Sequence, residues 1–248
     1  MPDKRHRLDL ALVERGLAPT RSRACGAIKS GRVRVGGKTV TKAAGLVGDG
    51  DIIEIESLEH PYVSRAALKL VHALDSFALN PANRHCLDLG ASTGGFTQVL
   101  LERGAASVAA VDVGHGQLAG ELLSDSRVHA VEGLNARNVT RELIPGPIEF
   151  ITADLSFIGL AKALPPALAL AEPGAYLVAL IKPQFEVGPK NVGKGGIVRD
   201  GELHRRVCAD IAHWLSDDMG WHVIGIAESP IAGGDGNVEF LIAASHDR

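Results

Sequence analysis

Along most of the chain, apolar residues come in short, nearly uninterrupted runs separated by amphipathic stretches. CLDL at 86–89, SVAAVD at 107–112, VHAVE at 128–132, IEFITAD at 148–154 and YLVALIK at 176–182 are such runs, and residues 222–228 and 239–245 complete seven. Continuous apolar strands alternating with helices predict a largely parallel sheet covered on both faces. The first fifty residues follow another rhythm. Leu8, Leu12 and Val13 fall on one helical face, and beyond Gly16 and Pro19 a second helix with Ala24, Ala27 and Ile28 inside is capped by Thr20. RVRVGGKTV then alternates charged and apolar positions around Gly-Gly, and DIIEIE repeats the alternation, which predicts short antiparallel strands. The expected organisation is a small α+β domain over 1–58, a linker over 59–63 within SLEHPYV, and an α/β domain over 64–248.

Charge sharpens that division. The 248 residues carry a net charge of -3, yet residues 1–42 hold eleven Lys/Arg against three acids, and the remainder is correspondingly acidic. Arg5, Arg7, Arg21, Arg23, Lys29, Arg32, Arg34, Lys38 and Lys42 are candidates for a surface that meets phosphate, with solvated charge as the plainer reading. Three scattered cysteines, Cys25, Cys86 and Cys208, suggest buried small hydrophobes, and the ten histidines show no metal-ligand spacing, so no metal is called for. Without a long apolar run or a leader-like N-terminus, the expectation is a cytoplasmic protein that does not engage a membrane.

The turn after the first strand of the larger domain reads DLGASTGGF. Gly90, Gly94 and Gly95 let backbone approach a ligand at a helix N-terminus, with Ala91, Ser92, Thr93 and Phe96 alongside. The spacing is not that of the dinucleotide fingerprint GxGxxG. Asp88, two residues ahead of Gly90, is badly placed for a pyrophosphate and suits a positively charged ligand; Asp112, at the end of the next strand, suits ribose hydroxyls. A nicotinamide cofactor, a sulfonium cofactor and purely structural glycines all remain open on these residues. Asp154, Lys182 and Glu239 come at strand ends and Lys69 on the preceding helix, where lone charges are costly, so isolated ion pairs and one neutralising cluster are both readings. Residues 183–201, rich in Gly and Lys, read as a lid that brings Lys190, Lys194 and Arg199 to phosphates, or as a plain loop.

Several of these segments resemble known families. RLD, SRA and IKSGRVRVGGK resemble the alpha-L RNA-binding module of a small-subunit ribosomal protein, over about residues 6–55. DLGASTGGF with Asp112 resembles the methionine-site region of class I S-adenosylmethionine methyltransferases, whose Rossmann-like sheet has seven mostly parallel strands. SRAALKL, ADLSFI, IKPQFE and GNVEF carry Lys69, Asp154, Lys182 and Glu239 in the order of the Lys-Asp-Lys-Glu tetrad of FtsJ-like ribose 2'-O-methyltransferases, and together with the N-terminal module resemble the TlyA, or hemolysin A-like, rRNA methyltransferases. The resemblance implies S-adenosylmethionine as cofactor, held by Asp88, residues 90–96, Asp112 and Asp154. It also implies cytidine ribose in 16S or 23S rRNA as acceptor and ribosomal RNA or subunits as partner; no obligate protein partner is evident, and a catalytic domain with its own RNA module could work as a monomer. Lys182 is then base or alkoxide stabiliser, Asp154 orients it, and Lys69 and Glu239 complete the charge network. Base methylation would favour an Asn/Asp-Pro-Pro-aromatic segment where Asp154-Leu155-Ser156-Phe157 stands, and cytosine C-methylation a cysteine that is not at these strand ends. A non-catalytic ribosome-assembly factor and a membrane-active hemolysin are the competing functions.

Overall fold

A pair of glycines turns the first hairpin. Gly36 and Gly37, at φ +54° and +77°, form a two-residue turn of the kind that matches the twist of the flanking strands. The computed structural model describes residues 5–18, 21–29, 31–55, 61–188, 191–233 and 236–247. The chain divides into two units, Met1–Pro61 and Tyr62–Arg248.

In the first unit β1 (His6–Arg7) leads into α1 (Leu8–Glu14), followed by α2 (Arg21–Lys29), β2 (Val33–Val35), β3 (Lys38–Thr39), β4 (Leu46–Val47) and β5 (Ile53–Ile55). β2 pairs antiparallel with both β3 and β5, and β1 pairs with β4. Leu8, Leu12, Ala24, Ala27, Ile28 and Val33 fill one small core, as the helical and alternating periods require. The expected cap Thr20 lies outside the described residues.

The second unit begins with α3 (Ala67–Ser76) and continues β6 (His85–Leu89), α4 (Gly95–Glu102), β7 (Ser107–Asp112), α5 (Gly120–Leu123), β8 (Val128–Glu132), β9 (Phe150–Ala153), α6 (Leu160–Ala163), α7 (Pro165–Ala169), β10 (Tyr176–Ile181), α8 (Pro183–Glu186), α9 (Gly201–His213), β11 (His222–Glu228) and β12 (Phe240–Ser245). These strands form one seven-stranded sheet in the order β11-β12-β10-β9-β6-β7-β8, with only β12 antiparallel to its neighbours. Tyr62 and Val63, read from the sequence as linker, pack against this unit's core.

Period-two alternation sorts β6. Leu87 and Leu89 face the layer built by α6, α7 and α9, while Cys86 faces the layer of α3 and α4. Both layers are predominantly apolar, which is why the parallel strands show no regular polar alternation. Of the three cysteines, Cys86 is buried as expected, whereas Cys25 and Cys208 are only half-buried because each sits at the edge of a helix face.

Candidate active site

The carboxyl edge of the sheet gathers charge from three adjacent strands. Ile181 pairs with Phe240, so the next residues along the antiparallel ladder, Lys182 and Glu239, stand opposite each other just past the strand ends. Asp154 follows β9 next door, its N–H donating to the Leu89 carbonyl at 3.0 Å. Lys182 Nζ lies 2.5 Å from Asp154 Oδ1 and donates to Ser156 Oγ at 3.1 Å. Lys69 reaches from α3 to Glu239, with 2.5 Å between Nζ and Oε2. The four residues thus meet as two ion pairs at one edge. Lys69, Lys182 and Glu239 are all buried, so each charge depends on its partner for the stabilisation that water would otherwise supply.

Two cavities open at this edge. The larger, about 710 Å³, is lined by Asp112, Gln117, Arg137, Phe157 and Phe185 among others; the smaller, about 220 Å³, by Ala91, Thr93, Gly95, Phe96 and Lys182 among others. Gly90, Ser92, Asp154 and Ser156 line both, so the two spaces adjoin. Neither is lined by Lys69 or Glu239, whose pair lies behind the cavity wall.

The glycine-rich turn shapes that wall. Gly90, at φ +81°, has the Asp154 carbonyl where a Cβ would stand, at 2.5 Å, so only glycine lets the turn after β6 pass the end of β9. Ser92 also adopts a positive φ, +48°, with its N–H donating to Asp112 Oδ2 at 2.8 Å. Gly114 N–H donates to the other oxygen at 2.7 Å. Asp112 is thereby fixed at the cavity wall by a backbone N–H on each carboxyl oxygen, with acceptor capacity to spare.

Two of the residues expected at the cofactor stand off both cavities. Asp88 does not reach either cavity: it is fully buried, accepting from Thr97 Oγ1 at 2.7 Å and Thr152 Oγ1 at 2.9 Å. The strand period turns its side chain onto α4, beneath the turn instead of into it. Burial pushes its pKa up to about 6 although the two threonine hydroxyls favour the charged form. Gly94 likewise lines neither cavity; a Cβ there would meet Leu122 Cδ1 at 2.2 Å, so its absence serves packing.

Other site residues gave no sequence signal. Ser156 holds Lys182 from two residues past Asp154, and Arg137 enters the larger cavity from a 3₁₀ turn, Ala136–Asn138, that carries no motif. Phe157 has φ +65° and is 91% exposed, its ring centroid 5.2 Å from that of Phe185. The stretch read as lid or loop is tied down in part: Val198 is buried, and Asn237 accepts from its N–H and donates to the Gly196 carbonyl, both at 3.0 Å. Arg199 is exposed; Lys190 and the side chain of Lys194 lie outside the described residues.

In the first unit Arg5, Arg34, Lys38 and Lys42 are exposed and Arg32 is half-buried. Arg32 immediately precedes β2, and Arg34 within it stands opposite Thr39 and Glu54. Arg7 and Arg21 converge on buried Asp9, and the side chains of Arg23 and Lys29 lie outside the described residues. Among the described residues no group of three or more His, Cys, Asp or Glu could hold a metal, and no helix is long and apolar enough to cross a membrane.

Comparison with known proteins bears on both units. The model of the FtsJ-like methyltransferase family matches residues 62–246, and that of the S4 domain matches residues 6–53. The 16S/23S rRNA (cytidine-2'-O)-methyltransferase TlyA of Mycobacterium tuberculosis is 48% identical over 96% of this chain and 89% of its own. Hemolysin A of Brachyspira hyodysenteriae is 40% identical over 95% of this chain and 98% of its own. Among solved structures, a hemolysin-named protein from Streptococcus thermophilus superposes with a TM-score of 0.76 at 38% identity, covering 98% of this chain and 88% of that one.

Proposed function

The chain belongs to the FtsJ-like methyltransferases, in the TlyA and hemolysin A group that adds an S4 domain, and from that premise we propose that it methylates the 2'-hydroxyl of a cytidine in 16S or 23S ribosomal RNA, using S-adenosylmethionine. The observation that carries the reading is the Lys182–Asp154 pair at the junction of two adjoining cavities, 2.5 Å across.

The residues fit the cofactor. A ligand seated with its ribose on Asp112 in the larger cavity comes, through the shared wall of Gly90 and Ser92, to Asp154 and Lys182 in the smaller one. Ala91, Thr93, Gly95 and Phe96 border that path. Asp88 supports it from below through Thr97 and Thr152. When bound, the sulfonium supplies an electrophilic methyl group and leaves as a neutral thioether, so no acid is needed for departure.

The work left to the protein is at the nucleophile. A ribose hydroxyl is far too weak an acid to ionise at neutral pH, so negative charge developing on its oxygen needs a proton acceptor or a nearby cation. Lys182 Nζ, fixed between Asp154 and Ser156, supplies the cation against which negative charge develops on the ribose oxygen, and the hydroxyl's proton leaves to water as the methyl group is transferred. Asp154 keeps the ammonium aimed into the cavity. The Lys69–Glu239 pair, whose carboxylate stands opposite Lys182 on the ladder, ties α3 to the start of β12 and keeps the buried edge neutral. Phe157 on the rim offers an exposed aromatic face on which an unstacked base can rest. The basic S4 unit supplies sequence-independent attraction to RNA phosphates.

Transfer of label from S-adenosylmethionine to purified 30S and 50S subunits, compared with Lys182→Ala, tests the reading. Label at one alkali-resistant linkage, lost in the variant, is the expected result. Label at an alkali-labile position makes the acceptor a base and overturns it; cofactor binding without transfer to either subunit favours an assembly factor.

A further inference from the structure

A fully buried carboxylate in an RNA-binding unit is out of place on electrostatic grounds, because it subtracts from the field that attracts phosphate. Asp9 is 0% exposed and gathers two arginines. Arg7 approaches through Nε at 3.0 Å to Oδ1 and through Nη2 at 2.9 Å to Oδ2, and Arg21, from the start of α2, through Nε at 2.9 Å to Oδ2. Leu10 N–H donates to Oδ1 at 3.1 Å, and Cys25 Sγ lies 3.7 Å from Oδ2. The arginine side chains remain 43% and 58% exposed. These contacts hold the carboxyl of Asp9 well below the usual carboxylate range, with the Arg7 hydrogen bonds the largest cause, so it stays ionised.

We propose that Asp9 is a positioning residue for RNA binding: it fixes Arg7 and Arg21 side by side as one guanidinium clamp for the phosphate backbone. The inference rests on the S4 unit being the RNA-binding part of the molecule. An arginine that must be immobilised on binding forfeits much of its contact energy as lost side-chain entropy. Bidentate attachment of Arg7 to a buried anchor and a second guanidinium on the same carboxylate meet that cost during folding. The remaining N–H groups of each fork then belong to a side chain with a defined place.

The sign of one substitution separates this from a merely structural carboxylate. Asp9→Asn adds one unit of positive charge to the module, so a field effect alone tightens RNA binding. Loss of the clamp weakens it, on the order of tenfold for two released side chains. The measurement is the dissociation constant of the full-length chain for a labelled rRNA-derived hairpin, across a salt series, for wild type, Asp9→Asn, Arg7→Ala/Arg21→Ala and the triple variant. Weaker binding by Asp9→Asn, with no further weakening when it is added to the double arginine variant, is the expected pattern, and the salt slope falls by roughly 1 to 2 when both arginines are removed.

Unchanged or tighter binding by Asp9→Asn overturns the proposal. So does weakening that persists without the arginines, which identifies partial unfolding as the cause. If the double arginine variant binds as well as wild type, the assignment of these arginines to RNA fails first.

Discussion

Two lysine–carboxylate pairs of equal length stand at one sheet edge, and their surroundings differ. Lys182–Asp154 opens onto a cavity and shares its ammonium with Ser156, whereas Lys69–Glu239 is sealed behind the wall, with Glu239 3% exposed. The same chemistry therefore does different work. A pair facing a cavity can exchange its partner for a substrate oxygen during reaction. A pair that meets neither cavity has no such exchange open to it, and removal of either member strands a charge.

That contrast is broken or sharpened by four measurements. Lys182→Ala should lower kcat for methyl transfer on the order of 10³-fold, about 4 kcal/mol of barrier, with cofactor affinity kept within a few-fold. A comparable loss of cofactor binding, seen by calorimetry, would break the comparison. Lys69→Met should act on the fold, costing about 3 kcal/mol in denaturant unfolding, with most of it recovered in Lys69→Met/Glu239→Leu, where no charge is left unpaired. Equal or greater destabilisation by Lys182→Met would reverse the assignment of the two pairs.

Asp88 extends the sealed class to a carboxyl without a cation. It ionises near pH 6 in the folded chain and at its ordinary, lower value in the unfolded one, so the folded state holds the extra proton between those values. The stabilisation present below the unfolded pKa is lost as pH rises through about 6. Asp88→Asn should flatten that decline and add about 2 kcal/mol above pH 6, read from denaturant midpoints along a pH series. A wild-type profile that rises over this range would contradict the burial argument. Phe157→Ala stands at the open extreme: its stability should change by less than about 0.5 kcal/mol, as for an exposed side chain, while KM for subunits rises roughly fivefold through lost stacking. No change in KM would leave Phe157 outside the RNA path.

The strands were legible because burial on both faces writes itself as continuous apolar sequence; all seven lie within two residues of the runs that predicted them. Asp154, Lys182 and Glu239 stood out because charges at apolar strand ends are conspicuous, and Lys69 because it is a lone charge in the apolar run of α3. What the sequence could not reveal is the direction of a side chain. Asp88 and Gly90 are two residues apart, yet one is sealed against α4 and the other lines both cavities. The difference arises where the strand ends and the left-handed turn begins. Arg7 and Arg21 look like equivalent surface charges until Asp9 is found beneath them, and nothing in a linear pattern pairs residues across two helices. Ser156 and Arg137 depend on turns whose geometry is set by tertiary contact, so local propensity is silent about them.

The antiparallel last strand has a consequence for how the site comes into being. Lys69 and Glu239 are separated by 170 residues, so the ion pair closes a loop that embraces almost the entire sheet. Contacts of such long range form late, after the entropy of closing the intervening chain has been met by other contacts. A chain that stops short of β12, whether still being synthesised or cleaved, would bury Lys69 without its counter-ion and leave β10 with an uncovered edge. The last strand thus acts as a completion check: the constellation at the sheet edge exists only once the first helix and the last strand of the second unit have met.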